Sequence, residues 1–422
     1  MLSFSAYPED PRPCRAAEAL LAEGMSVDFI CLADDKSLQR ETAGRLNVWR
    51  LRINHRRGGA LSYAFQYSAF ILSCGVILAV RALTRRYDLV YVHNMPDILV
   101  LSALVPKALG AKLILDQHDP MPELMMTIFN LDRESVAVRV IERLEKLSCG
   151  YADLVITVNI ACKRLFADRS CPPQKIGVVM NAPDEKIFGV PSPRLGRAAE
   201  PARPFVIMYH GSIVERNGLD LAVDAFARAR ETISSAELRI YGRQTPFLER
   251  VMDKVRTRGL ERGVLYMGPR TLEQLVPEIS SCDLGIIPNH QSAFTEINTP
   301  PRIFEFLSRG KPVIAPRSAG ICDYFDDRSL LLFKLGSSED LARKIEYACS
   351  HPAELLEIVQ RGQMVYRGHC WQVERRRLIE LVAKLVCGGR GGLSNRIKEE
   401  TNLEQADPNR DDSIRGTAHP TP

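Results

Sequence analysis

The chain has 422 residues, enough for two domains, because single cores rarely grow beyond about 250–300 residues. Hydrophobic residues make up 45% of it and charged residues 25%, as in ordinary folded proteins. The net charge of +5 is small, and no basic stretch is interleaved with aromatic residues, which argues against nucleic-acid binding. The 11 cysteines are scattered without a Cys-x-x-Cys pair, which argues against a disulfide framework and a structural zinc site.

The first half of the chain alternates short apolar runs with amphipathic helical patterns such as 134–152. Near-continuous apolar runs are typical of parallel strands covered on both faces. The predicted strands are 27–32, 47–53, 88–93, 112–116, 153–158 and 176–181. The alternation predicts a doubly wound α/β domain over residues 1–188. The opening MLSFSAYPED lacks the basic and apolar regions of a secretory signal, so we expect a cytoplasmic location.

One segment departs from this pattern. Residues 60–80, ALSYAFQYSAFILSCGVILAV, carry no charge and are long enough to span a bilayer. A spanning helix has basic residues mainly on its cytoplasmic side, but here they flank both ends: Arg50, Arg52, Arg56 and Arg57 before, Arg81, Arg85 and Arg86 after. The strand at 88–93 must also rejoin the same sheet. A buried core helix or an interfacial helix on anionic lipid therefore explains the segment better than a spanning one, and we favour the interfacial helix.

The segment 189–204 is rich in Pro, Gly, Arg and Ala and is predicted to be an interdomain linker. The β-α pattern then restarts and predicts a second domain over 205–370, with a helix at 371–387. Its strands are predicted at 205–211, 237–242, 263–268, 283–288, 311–315 and 330–333. The tail 388–422 is polar and low in aromatics, so we expect disorder there.

The common phosphate-binding motifs are absent from the sequence. It contains no G-x-x-x-x-G-K-[ST], no G-x-G-x-x-G after the first strand and no D-x-D pair that would hold a cation. Ligands of open parallel sheets bind beyond the carboxyl ends of the strands, so the loops at those ends are the candidate sites.

The loop 117–123, QHDPMPE, follows the strand at 112–116 and places His118 and Asp119 at its end. This polar pair would face an interdomain cleft. The alternative is a turn built on Pro120 and Pro122, with Asp119 capping the next helix. The sequence leaves both open.

The loop after the strand at 205–211 opens an amphipathic helix near Gly218. Helix N-termini favour anions because their unpaired N–H groups and the helix dipole both point there. Arg216 lies within reach of a phosphate bound at that point. The alternative is a solvated arginine paired with Glu215 or Asp220.

The stretch FTEINTPPRIFEFLSRGKPVIAP, residues 294–316, follows the strand at 283–288. Its pattern predicts a helix with Thr299 as N-cap and with Ile303, Phe306 and Leu307 facing the core. Arg302, Glu305 and Arg309 would share the other face. Glu305 either pairs with Arg309 on a plain surface helix or accepts both hydroxyls of a ribose in the cleft.

Together these stretches resemble the family 4 retaining glycosyltransferases, especially bacterial members that build exopolysaccharide, capsule and O-antigen. The resemblance covers residues 5 to about 385. YPEDPRPCRAAEALLAEG is similar to the family's first loop and helix, and DLVYVHNMPDILVLSALVPKALGAKLILDQHDPMPE resembles its acceptor-domain core. YHGSIVERNGLDLAVDAF and PPRIFEFLSRGKPVIAP resemble its donor-binding motifs.

The resemblance implies the GT-B fold, in which two Rossmann-like domains face each other across a cleft. It implies a nucleotide-sugar donor as co-substrate, no metal or other cofactor, and transfer with retention to a glycan acceptor, which we expect to be linked to polyprenyl diphosphate. His118, Asp119 and Arg216 would form the catalytic set. The donor site would comprise Gly211, Arg216, Gly242, Glu296, Thr299, Arg302 and Glu305. Arg12, Arg52, Arg56 and Arg57 would serve the acceptor and the inner face of the plasma membrane.

Three features depart from the family pattern. Its paired glutamates are separated by seven residues, but Ile297 stands at the first position and Glu296 comes one place earlier. Its usual lysine in the diphosphate loop aligns with Asn217, so that role passes to Arg216. Only MLSFS precedes the first loop, so we expect the first strand to be nearly missing, with the chain either truncated or its start misassigned. A nucleotide-sugar 2-epimerase of the same fold and an inactive scaffold subunit remain the alternative functions.

Overall fold

The computed structural model describes residues 1–34, 38–53, 60–189 and 203–388. Arg56 and Arg57, the linker residues 190–202 and the tail from 389 onward lie outside the described residues.

The first domain is built on an eight-stranded sheet. Its strands are β1 (Leu2–Ala6), β2 (Val27–Leu32), β3 (Arg40–Ala43), β4 (Leu46–Leu51), β5 (Leu89–His93), β6 (Lys112–Gln117), β7 (Leu154–Thr157) and β8 (Ile176–Val178). They are ordered β3-β4-β2-β1-β5-β6-β7-β8, and only the edge pair β3–β4 is antiparallel. All six strands predicted here form, as near-continuous apolar runs covered on both faces require.

The expectation that the first strand is nearly missing is wrong. Residues Leu2–Ala6 form β1, which pairs with β2 on one side and β5 on the other. Five residues are an ordinary strand length. Leu2 is fully buried at the centre of the sheet, and burial on both sides holds this short strand in place.

The second domain is built on a six-stranded parallel sheet. Its strands are β9 (Val206–His210), β10 (Glu237–Tyr241), β11 (Val264–Gly268), β12 (Leu284–Ile286), β13 (Val313–Arg317) and β14 (Leu331–Lys334). The order β11-β10-β9-β12-β13-β14 is that of a Rossmann sheet. Successive strands are added on one side of β9 up to β11 and on its other side from β12 onward, so the switch point lies between β9 and β12. In the first domain the corresponding switch point lies between β1 and β5.

Helices cover both sheets. Those of the first domain are α1 (Pro11–Ala22), α2 (Ala60–Ala82), α3 (Leu104–Ala108), α4 (Met121–Phe129), α5 (Val136–Tyr151), α6 (Ile160–Arg169) and α7 (Glu185–Phe188). Those that follow are α8 (Leu219–Thr232), α9 (Pro246–Thr257), α10 (Leu272–Ser281), α11 (Ala293–Ile297), α12 (Arg302–Ser308), α13 (Ala319–Cys322), α14 (Ser338–Ser350), α15 (Pro352–Arg367) and α16 (Trp371–Cys387). Short 3-10 turns lie at Asp97–Ala103, Pro173–Lys175 and Glu215–Asn217.

Helix α16 follows the second domain in sequence but packs on the first. Leu378, Ile379 and Val382 join the core formed by α1 and β2. Arg375 donates to Glu23 at 2.8 Å, and the amide of Met180 donates to the buried Glu374 at 2.9 Å. The last helix therefore ties the second domain back to the first.

The domains also meet directly at one end of the cleft. The amide of Asn159 donates to the carbonyl of Ile297 at 2.8 Å and to Thr299 Oγ1 at 3.1 Å. The backbone N–H of Ile160 donates to Tyr324 Oη at 2.9 Å. These contacts fix the relative position of α6 and the segment before α12.

Candidate functional site

The candidate site lies where the carboxyl ends of the two sheets face each other. The end of β5 and the loop after β6 bring His93 and His118 to the cleft from the first domain. The loop after β9 and helix α12 bring Arg216 and Glu305 from the second. Both sets stand at or next to a switch point, where open α/β sheets bind ligands.

Helix α12 differs from its predicted form at its start. It begins at Arg302 with Pro301 as N-cap, so Thr299 is not the cap. The Thr299 hydroxyl instead donates to the carbonyl of Gly320 at 2.6 Å and accepts from Asn159, because the two adjacent prolines carry it away from the helix. Ile303, Phe306 and Leu307 are buried as predicted.

Glu305 lies in the first turn of α12 with its side chain 14% exposed. It does not pair with Arg309, whose guanidinium donates to Ser280 Oγ at 3.0 Å and to the carbonyl of Phe188 at 2.9 Å. The nearest partner of Glu305 is His210, with Nε2 and Oε2 3.4 Å apart. The plain surface-helix alternative is therefore excluded for this residue.

The environment of Glu305 and His210 disfavours charge on both. Burial raises the pKa of Glu305 to about 7, although Arg302 and Arg15 oppose this. Burial and the charge of Arg302 lower the pKa of His210 to about 3, so the imidazole is neutral. At neutral pH the carboxyl group is about half ionised and has no full counter-charge, which leaves its oxygens available to accept hydroxyl hydrogens.

Two glycines shape the wall beside Arg302. Gly211 has φ of 116°, and a Cβ there would lie 3.1 Å from Cδ of Arg302. A Cβ on Gly242 would lie 2.4 Å from the carbonyl oxygen of Gly211. The Arg302 side chain passes over Gly211, and its Nη1 donates to the carbonyl of His210 at 2.7 Å. A side chain at either glycine would displace the arginine or the loop.

Arg216 lies in the 3-10 turn Glu215–Asn217, and its predicted alternative partners are occupied. Glu215 pairs with Arg250, and Asp220 pairs with His290 at 2.8 Å. Among the described residues we find no ion pair to the Arg216 guanidinium, which lies 5.8 Å from the ring centroid of Phe294. Burial lowers the pKa of Arg216, and Asp119 across the cleft opposes that shift.

A cavity of about 360 Å³ opens between the domains next to Arg216. Its walls are α4 of the first domain and the loop that leads into α11 of the second. Arg216 therefore combines partial burial, a free guanidinium and access to the space between the domains.

Glu296 has a structural partner. It lies in α11, and its Oε1 accepts the backbone N–H of Ala319 at 3.1 Å, at the start of α13. The shift by one position relative to the family spacing directs this carboxylate to a helix end. Its predicted contact with a donor sugar stays a prediction.

His118 belongs to a buried cluster at the ends of β5 and β6. Its Nε2 lies 3.1 Å from Nδ1 of His93 and 3.4 Å from Oδ2 of Asp116, and Tyr91 Oη donates to the same oxygen at 2.7 Å. Burial lowers the pKa of His118 to about 3, so its ring is neutral. The backbone N–H of His118 donates to Asn94 Oδ1 at 2.9 Å, which fixes the loop.

Asp119 and Arg12 face each other at the edge of the cleft. Arg12 donates to Asp10 at 3.2 Å and its Nη1 lies 3.6 Å from Asp119 Oδ2. Pro120, not Asp119, occupies the N-cap position of α4. The cap alternative for Asp119 is therefore wrong, and its carboxylate, one third exposed, remains available in the cleft.

His93, Asp116 and His118 are also residue types that bind metals, with potential ligand atoms within 4.8 Å of one another. They already bond to each other and to Tyr91, so a metal would have to replace these hydrogen bonds. The expectation that no metal is needed stays a prediction.

Helix α2 packs on the first sheet and leaves an apolar stripe exposed. The buried side chains Phe70, Cys74 and Leu78 are spaced by four residues and face the core. The exposed stripe is formed by Phe65, Leu72, Val76 and Val80, followed by Leu83. Ala64–Ala82 is long and apolar enough to cross a bilayer, and only 22% of it is buried. Because β4 and β5 flank α2 in the chain and join one sheet, α2 lies along the domain and does not leave it.

Helix α5 carries a second exposed stripe on the same face of the sheet. It consists of Val136, Val140, Leu144 and Leu147, interspersed with the exposed cations Arg139, Arg143 and Lys146. The 3-10 turn Asp97–Ala103 packs between α2 and α5. Leu101 of this turn and Leu104 and Val105 of α3 are also exposed. We call the exposed side chains of α2, α3 and α5 the apolar face. Large apolar patches mark interaction sites.

Of the flanking arginines that the structure describes, Arg50 and Arg81 have charged partners. Arg50 is buried and pairs with Glu41 at 2.7 Å. Arg81 donates to Asp28 at 2.6 Å. Arg52, Arg85 and Arg86 are exposed and free to meet an anionic surface.

Several residues of the site were missed by sequence reasoning. His93 ends the predicted strand 88–93 and Asp116 ends the predicted strand 112–116, whereas Tyr91 lies within its predicted strand and His210 is one residue before the end of the predicted strand 205–211. A titratable side chain at the carboxyl end of a buried strand was the available signal for the histidines. The contact of Asn159 with the second domain left no local signal, since it joins residues 138 positions apart.

Two protein-family models match the chain. The model described as "Glycosyl transferase 4-like domain" matches residues 11–182, and "Glycosyl transferases group 1" matches residues 204–351. Between them they cover most of both described domains.

Two curated relatives match at low identity. The chain is 24% identical over 277 residues to the probable glycosyltransferase WbjE of Pseudomonas aeruginosa, covering 64% of this chain and 66% of that protein. It is 24% identical over 237 residues to the putative colanic acid biosynthesis glycosyltransferase WcaL of Escherichia coli, covering 55% of this chain and 57% of the relative. The aligned region thus spans slightly less than two thirds of either relative.

Solved structures share the fold. Anabaena Alr3699/HepE, determined in complex with UDP-glucose, superimposes with a TM-score of 0.66 at 16% identity, covering 91% of this chain and 98% of that one. The fold is therefore GT-B, with two Rossmann-like domains facing a cleft, as the sequence predicted. The chain thus consists of a glycosyl transferase 4-like domain followed by a glycosyl transferases group 1 domain.

Proposed function

We propose that the protein transfers a sugar from a nucleotide-sugar donor to a glycan acceptor in bacterial cell-surface polysaccharide synthesis. The observation that carries the proposal is that the buried Glu305 carboxylate and the unpaired Arg216 guanidinium both lie on the second domain's side of the cleft. A carboxylate for hydroxyls and a cation for phosphate are what a nucleoside diphosphate requires. The donor bound by HepE and the biosynthetic role named for WcaL support this choice.

The positions of these groups support the following donor roles. Glu305 accepts the two ribose hydroxyls, and Gly211 and Gly242 let the backbone approach the nucleotide. Arg216 binds the diphosphate. His118, neutral and held at the end of β6, contacts the transferred sugar from the first domain.

We propose that transfer proceeds with retention and without a metal. The bond between the anomeric carbon and the diphosphate oxygen breaks, and the acceptor oxygen forms its bond on the same face. The acceptor proton passes to the leaving phosphate oxygen. Arg216 and backbone N–H groups stabilise the charge that develops on the diphosphate.

The acceptor is proposed to be a glycan linked to polyprenyl diphosphate at the cytoplasmic leaflet. The apolar face supports this, because exposed apolar side chains interspersed with cations are suited to an anionic membrane surface. Arg52 is exposed, and Arg56 and Arg57 follow it in sequence before α2. Apolar burial and attraction to anionic lipid would together hold the first domain on the membrane.

A thermal-shift screen of the purified protein against UDP-, GDP-, ADP- and dTDP-sugars tests the donor class. We expect one nucleotide series to raise Tm by several degrees, since a bound ligand stabilises the folded state. The stabilising donor is then incubated alone and with a lipid-linked acceptor. Free nucleotide sugar converted to its 2-epimer without acceptor would indicate an epimerase, and a protein that binds no nucleotide sugar would contradict the proposal.

A further inference from the structure

The cluster around His118 contains more groups than donor binding needs. Tyr91, His93, Asp116 and His118 are each nine-tenths or more buried, and all come from β5, β6 and the loop that follows β6. The rings of His93 and His118 are parallel within 7°. Only His118 has a role in the proposed reaction, so the other three require an explanation.

Asp116 is the one anion of the cluster. Burial alone would raise its pKa, but His118, His93 and the Tyr91 hydroxyl together hold the pKa of Asp116 at about 2. Its Oδ2 receives the Tyr91 hydrogen bond at 2.7 Å and faces both imidazoles, 3.3 Å from His93 Nδ1 and 3.4 Å from His118 Nε2. An ionised carboxylate can only accept hydrogens.

A neutral imidazole carries one hydrogen, so its two nitrogens have different roles. Nε2 of His118 is in hydrogen-bond contact with Nδ1 of His93 at 3.1 Å and lies 3.4 Å from Asp116 Oδ2, so one of the two ring nitrogens must carry the hydrogen. If it is Nε2 of His118, beside the Asp116 carboxylate, then Nδ1 of His118 must present a lone pair. Nδ1 is buried and has no hydrogen-bond partner among the described residues. An unsatisfied buried acceptor costs free energy unless a ligand supplies its donor.

We propose that Asp116, oriented by Tyr91, is a positioning residue that holds His118 as the Nε2–H tautomer, so that Nδ1 accepts a hydrogen bond from a hydroxyl of the transferred sugar. The proposal rests on the proposed function for the identity of the ligand. The tautomer itself is a property of the free protein.

The direct test is ¹⁵N NMR of histidine-labelled protein, with Asp116→Asn and Tyr91→Phe as variants. In the wild type we expect the His118 signals of an Nε2–H imidazole. Asp116→Asn can donate as well as accept, so we expect a mixed or reversed tautomer. Tyr91→Phe removes only the hydroxyl and should give a smaller shift, which keeps the test informative if Asp116→Asn folds poorly.

Transfer kinetics provide the second readout. Loss of a carboxylate that fixes a catalytic histidine can lower kcat by orders of magnitude, and here we expect a fall of about tenfold or more with KM for the donor little changed. Tyr91→Phe should lower kcat a few fold. A wild-type His118 in the Nδ1–H tautomer, or wild-type kcat in Asp116→Asn, would overturn the proposal.

Metal analysis of the purified protein closes the test. If the wild type contains one metal ion per chain and His93→Ala contains none, the cluster is a metal centre and the positioning role is wrong. An Nε2–H tautomer in a protein that binds no nucleotide sugar would contradict the proposed function but leave the positioning by Asp116 standing.

Discussion

Glu305 lies in an environment unlike that of a surface glutamate. Burial raises the pKa of Glu305 to about 7, well above the value of 4.5 for an exposed glutamate. Hydroxyl recognition requires the ionised form, so donor binding should favour deprotonation. Affinity should therefore be highest above pH 7 and fall as the pH drops through it.

Calorimetric titration of the donor between pH 8 and pH 6 checks this dependence. A single group with this pKa predicts a loss of about tenfold in affinity over that range. Glu305→Gln keeps the size of the side chain but cannot ionise, so its lower affinity should be nearly independent of pH. A wild-type affinity that does not change with pH would remove Glu305 from the site.

Arg216 should act mainly on the transition state. Charge grows on the diphosphate as the glycosidic bond breaks, so a guanidinium beside it is worth more at that point than in the bound ground state. Arg216→Ala should lower kcat by about 10²-fold or more with a smaller effect on donor affinity. Arg228→Ala, an exposed arginine on α8, is the matched control and should behave as wild type. Equal losses in kcat and affinity would make Arg216 a binding residue only.

The elements of the fold were largely readable from the sequence. Buried parallel strands such as β2 and β6 are nearly continuous apolar runs, and their bounds agree with the prediction to within a residue. β3 was missed because it is an exposed edge strand, RETA, whose residues carry no apolar pattern. The start of α12 was misplaced because two consecutive prolines allow more than one N-terminal geometry.

The site was readable only in part. Glu305 and Arg216 stand at predicted strand–helix junctions, where sequence spacing is informative. The Tyr91–Asp116 hydrogen bond depends on the register between β5 and β6, which pairs His93 with Asp116. No local pattern encodes that register.

The exposed apolar stripe of α2 is predicted to bind anionic membranes. Leu72→Glu combined with Val76→Glu places charges at the centre of the exposed stripe without touching the buried Phe70, Cys74 and Leu78. Wild-type protein should bind anionic vesicles, more weakly as salt rises but not to zero, because apolar burial is not screened. The double variant should lose vesicle binding and keep transfer to a short soluble acceptor.

Met364→Glu on α15 is the control, since Met364 is 64% exposed in the second domain. It should bind vesicles as wild type does. Arg52→Glu with Arg56→Glu and Arg57→Glu should weaken the salt-dependent part of binding, since Arg85 and Arg86 stay in place, and leave the apolar part. Wild-type protein that ignores anionic vesicles at low salt would mean that the apolar face serves another partner.

In the whole molecule, α16 makes the stability of the first domain depend on the end of the second. Leu378 is buried against the first domain, at 1% exposure. Leu378→Ala should cost about 2–5 kcal/mol in the free energy of unfolding. Urea unfolding with Met364→Ala as an exposed control measures it. A loss below about 0.5 kcal/mol would mean that α16 is not part of that core.

The account as a whole requires that a nucleotide sugar binds in the cleft through Glu305. The most direct measurement is calorimetric titration, at pH 8, of the donor identified by screening into wild-type protein and Glu305→Ala. Loss of a charged hydrogen-bond partner should weaken binding by roughly 1.5–3 kcal/mol while the thermal unfolding of the free protein stays close to wild type. Equal donor affinity in the two proteins would contradict the account.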